Sequence, residues 1–71
     1  MELEEAQEVI KDMLDTAVKD AANISNRIKD LKADYEKDPY ITTEAMIRKL
    51  ETRLEKRTRE AKALGVVASS F

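Results

Sequence analysis

DYEKDPYITTEAM, residues Asp34 to Met46, carries the only proline of a 71-residue chain, both of its tyrosines and its clearest start signal for a helix. Pro39 fixes its own φ, lacks an N–H and pushes the preceding Asp38 out of the α region, so a helix arriving from the left must end at or before Asp38. Thr42 or Thr43 then offers a hydroxyl to cap a second helix, and Glu44 places negative charge where the helix dipole favours it. The stretch is therefore a reversal of about five residues, and so short a connection folds its two helices antiparallel as neighbours.

Working outward, both flanks are helical by period. Ile10, Leu14, Ala17, Ala21, Ile24, Ile28, Leu31 and Tyr35 follow one another at alternating steps of four and three, which places them on one face of a helix as a heptad seam. Leu3 extends the seam backward, with Gln7 as a polar member. The period continues through Asn23, Ser25 and Asn26, three poor helix formers at which the helix could break. Beyond the turn, Ile47, Leu50, Leu54, Ala61 and Leu64 repeat the spacing, with Arg57 standing where an apolar residue is due. This predicts one all-α domain over residues 1–71, an antiparallel hairpin with helices from about Leu3 to Lys37 and about Thr43 to Leu64. Gly65 supplies a left-handed stop with Val66 set against Ala61, and a short apolar tail follows.

Charge supports the antiparallel choice. Glu2, Glu4, Glu5 and Glu8 crowd the start of the first helix, while Arg53, Lys56, Arg57, Arg59 and Lys62 crowd the end of the second. Arg57 is expected to snorkel from the hairpin edge toward Glu5 or Glu8; the alternative is a register-setting polar position at a partner interface.

Composition excludes several kinds of chemistry. With no histidine and no cysteine, Ser25, Ser69 and Ser70 have no imidazole base to activate them, and a zinc-type site has no ligands. The carboxylate pairs Glu4 with Glu8, Asp30 with Asp34 and Glu51 with Glu55 lie away from the main seam and read as solvated helix surface. Gly65 stands alone after a helix end, so a phosphate-cradling loop is also missing. The expectation is a non-enzyme without cofactor or metal. Thirteen basic against fifteen acidic side chains leave a net charge of −2, which does not draw a protein onto phosphate backbones or anionic lipid. The basic run from Arg48 to Lys62 is broken by Glu51, Glu55 and Glu60 and contains no aromatic for base stacking. No apolar run is long enough to span a bilayer, and the acidic start MELEEAQE is unlike a leader peptide, so the chain reads as cytoplasmic.

Length points to function. At 1.5 Å per residue the helices span ~50 Å and ~33 Å, which leaves about eleven residues of the first helix beyond the second. Leu3, Ala6, Ile10, Met13 and Leu14, with Val67 and Phe71 of the tail, then form a candidate partner-binding surface, and Val9, Val18 and Ala22 widen the apolar stripe. A domain this small, with a one-sided core, is expected to be completed by a partner protein or by oligomerisation. The alternative cover for the overhang is the tail itself, with Phe71 folded back; the tyrosines near the turn read as plugs of the core.

The overall layout resembles the small co-chaperones that hold needle subunits of type III secretion systems. Separately, Arg27, Leu31, Tyr35, Pro39, Ile41, Thr42 and Glu44 fall at spacings similar to a segment of bacterial stomatin-like membrane-protease regulators, over less than a third of the chain and without their membrane helix. No family is assigned on either likeness. The expected function is that of a protein-binding helical hairpin, a small structural subunit or assembly chaperone of a larger bacterial or viral complex. A small acidic regulator that binds an enzyme or a nucleic-acid-binding protein through its charged face is the alternative.

Overall fold

The computed structural model describes Glu2 to Ser70 and is an antiparallel hairpin of two helices, α1 (Leu3–Lys37) and α2 (Ile41–Ser69). It is a rod of 53 × 17 × 14 Å, its long dimension set by α1, whose 35 residues span about 52 Å.

The heptad seam is the contact line. Every α1 seam residue from Ile10 to Tyr35 is buried or half-buried, whereas Asn23, Ser25 and Asn26 lie exposed. That is why α1 runs through the weak stretch unbroken: three residues of modest propensity cost less than Ile24 and Ile28 gain on the seam. In α2 the seam comprises Thr43, Ile47, Leu50, Leu54, Arg57, Ala61, Leu64 and Ala68, all buried or half-buried. Ile28, Ile47 and Leu50 form the buried core, and Ile24, Leu31, Tyr35 and Leu54 pack against it. Cross-links fix the register: Tyr35 donates a hydrogen bond to Glu44 at 3.5 Å, Lys32 pairs with Glu51 at 3.6 Å, and Arg57 pairs with Asp20 at 2.7 Å. With Ile28 level with Leu50, heptad steps outward bring Ala17 level with Ala61 and Ile10 level with Ala68.

The turn is shorter than its sequence suggests. Asp38 is extended (φ −151°, ψ 89°), as a residue before proline must be, and its N–H closes α1 on the Asp34 carbonyl at 3.0 Å. Tyr40 is the N-cap of α2, with no side chain capping it, so neither Thr42 nor Thr43 has the expected role. Ile41 enters the helix directly because the first N–H groups of a helix are unpaired in any case, and nothing else opposes an early start. Thr43 opens the α2 seam instead. The prediction for Glu44 holds: it lies in the first turn and pairs with Arg48 at 2.6 Å. Tyr35 is a plug of the core as expected, but Tyr40 is exposed.

Gly65 does not stop α2. No glycine has positive φ, so the left-handed ending is absent, and Val66 points to solvent rather than against Ala61. The helix continues because Ala68 is the next seam step after Leu64, and each added residue gains an i to i−4 hydrogen bond. The Ser69 and Ser70 hydroxyls donate to the carbonyls of Gly65 (2.8 Å) and Val66 (2.9 Å), the latter group having no partner within the helix. Val66 to Ser69, expected as part of an apolar tail, are thus the last turn of α2.

Candidate interaction surface

Extension of α2 shortens the overhang of α1. Of the residues expected to bind a partner, Ala6, Ile10 and Leu14 are half-buried, while Leu3 (64% exposed), Met13 (52%) and Val67 (43%) are open to solvent. Phe71 lies outside the described residues. The correction is physical: Leu14 is a seam residue level with Leu64, and Ile10 is one that α2 covers once it passes Gly65, whereas Met13 and Val67 stand beside the seam and a two-helix hairpin has nothing to cover them. Val9 and Val66 are exposed at the same end. Large apolar side chains thus gather at the end where the described chain starts and finishes, the open end. Tyr40 and Ile41 form a smaller exposed group at the turn.

Met13, Ala63 and Leu64 floor an apolar hollow whose rim carries Asp12, Arg57 and Glu60. Past Arg57 the hollow opens into a polar stretch bordered by Asp20, Asn23 and Arg53, which in turn meets a basic stretch bordered by Arg27, Lys49 and Met46. These three stretches share residues and make one groove along a single face of the hairpin.

Arg57 is the only charged side chain at an α2 seam position deep in the overlap. It reaches Asp20 across the groove and Glu60 on its own helix, not Glu5 or Glu8. The register explains this: Arg57 is level with Ala21, and Glu8 lies roughly 20 Å farther along α1 at 1.5 Å per residue. Hydrogen bonds to Glu60, then Asp20, raise the Arg57 pKa above its ordinary value, so the guanidinium is held charged. The expected approach of the acidic start of α1 to the basic end of α2 is therefore shifted, with Asp20 taking the part assigned to the earlier glutamates.

Asp20, Arg27, Arg53, Glu60 and Met46 do not figure in the surface read from sequence. Each stands one position before a seam residue, at heptad spacing along its helix, so the signal is present in the same period that gives the seam. It becomes visible only when the flanking positions are read as a row of their own.

Among the described residues no group of three or more acidic side chains is placed to hold a metal ion, and no helix is long and apolar enough to cross a membrane. No family model matches the chain, and neither a curated protein nor a solved structure matches it. The site is therefore read from its own geometry.

Proposed function

We propose that this chain is a non-enzymatic, cytoplasmic protein-binding hairpin, a small subunit or assembly chaperone of a larger bacterial or viral complex. The observation that carries the reading is the exposed apolar end formed by Leu3, Val9, Met13, Val66 and Val67. Apolar side chains gathered at one end of so small a rod lower its free energy when a partner removes them from water, and scattered single residues would not suggest this. The absence of histidine and cysteine supports a binding role over acid–base or nucleophilic chemistry.

The test compares the wild-type chain with the double variant Val9→Asp, Val67→Asp in capture from native lysate followed by mass spectrometry. Both sites are exposed, so helicity by circular dichroism should be unchanged while specific capture is lost. Capture that survives both substitutions but collapses in high salt would overturn the reading in favour of binding through the acidic residues of α1.

A further inference from the structure

The groove has an internal symmetry that names one occupant. On α1, Met13, Asp20 and Arg27 stand at heptad intervals, each one position before the seam; on α2, Met46, Arg53 and Glu60 do the same. In the antiparallel register the two rows interleave. From turn to open end the groove reads Met46, then the basic pair Arg27 and Arg53, then the acidic pair Asp20 and Glu60, then Met13.

That order is its own complement when reversed. A second copy laid on the groove with its turn at the opposite end, related by a two-fold axis between the basic and acidic pairs, lays α1 on α1 and α2 on α2 and sets Asp20 against Arg27 and Glu60 against Arg53, with Met13 of one copy and Met46 of the other at one level across the interface. Each contact occurs twice, as an isologous interface requires. Laying the copy with both turns at the same end sets arginine against arginine and carboxylate against carboxylate, which is repulsive. Both carboxylates already pair with Arg57 yet keep open surface for a second cation: Asp20 and Glu60 are 49% and 40% exposed. Met13 and Met46, which the hairpin leaves uncovered, would lose their water at both ends of the contact. At 53 × 17 Å the face is large enough, since a stable interface takes about 800 Å² from each partner. One step farther along the α1 row, Asp34 lies at the rim and stays in solvent.

We infer that two copies of this chain associate through the groove as an antiparallel four-helix dimer, the turn of each hairpin lying over the open end of the other. This deepens the protein-binding reading, on which it rests, by naming a second copy as one partner of the molecule.

The absence of native cysteine makes the test direct. Asn23→Cys and Met13→Cys chains are prepared and oxidised separately. The expected result is a disulfide-linked dimer of Asn23→Cys, which lines the groove beside the two-fold axis, with little cross-linking of Met13→Cys, whose two copies lie at opposite ends of the contact. Strong cross-linking of Met13→Cys with itself overturns the antiparallel arrangement. In parallel, sedimentation of the wild type should give twice the chain mass at micromolar concentration. Arg27→Glu with Arg53→Glu should weaken the dimer at least about tenfold with helicity retained, because it turns both attractive pairs repulsive. A wild-type chain that stays monomeric at high micromolar concentration overturns the dimer. If that monomer still captures a partner through Val9 and Val67, the functional proposal stands without it.

Discussion

The half of the hairpin beside the turn and the half beside the open end are built on one heptad seam, yet they fill it differently. Toward the turn the seam holds Ile24, Ile28, Leu31 and Tyr35 against Ile47, Leu50 and Leu54, and most of the buried side chains of the molecule lie there. Past the middle it holds Ala17 and Ala21 against Arg57 and Ala61, then the half-buried Ile10, Leu14 and Leu64, and toward the open end the large apolar side chains Val9, Met13, Val66 and Val67 stand outside the seam. Large residues in the seam gain burial from folding alone; small residues let the helices approach closely and leave apolar area to be covered by something else. Burial by folding alone is thus greatest toward the turn, and exposed apolar area greatest toward the open end.

The comparison breaks most sharply at Leu50. Leu50→Ala removes a large side chain from the buried core and should cost about 2–5 kcal/mol, enough to unfold much of so small a domain. Urea denaturation followed by circular dichroism checks this, and a loss no greater than that of an exposed substitution would show that the turn half is not the core.

A smaller effect is expected where the helices meet through alanine. Ala17 is fully buried (0% exposed), so Ala17→Leu has no space to enter and should destabilise by about 1–3 kcal/mol through overpacking. Measured by the same denaturation, a gain in stability would mean that the open half is loose and not close-fitting.

The smallest effect has the opposite sign. A Cβ added at Gly65 meets nothing within 4 Å, and the residue is helical with ordinary φ. Gly65→Ala should therefore stabilise α2 by about 0.5–1 kcal/mol, visible as a raised melting temperature. Destabilisation would place an unrecognised constraint on the open end.

Much of the molecule can be read from its letters. The seam, the reversal at Pro39, the continuous α1 and the core around Ile28 and Leu50 follow from period and proline stereochemistry, which act locally. What escapes is the end of α2, and the reason lies in a competition. Glycine after a helical run favours a left-handed stop, but Ala68 keeps the heptad step, and the hydroxyls of Ser69 and Ser70 supply carbonyl partners for the extra turn. That one boundary moves the site: the seam residue Ile10 passes from uncovered overhang to cover under Ala68, while Met13 and Val67 stay outside. Arg57 was misdirected for a similar reason, since a long side chain is read by its charge, whereas its partner is decided by register.

Because both ends of the described chain lie at the end away from the buried core, the hairpin has a definite mechanical polarity. A pull applied between Glu2 and Ser70 would load the rod as a zipper and not in shear, parting the layers one after another from the side where side-chain contact is slightest. The half-buried layers of Ile10 and of Leu14 with Leu64 would part first and the Arg57–Asp20 pair next, while the Ile28–Leu50 core and the layers between it and the turn would yield last. Such a rod gives way gradually from one end and can close again from the other, where the chain is already folded back on itself.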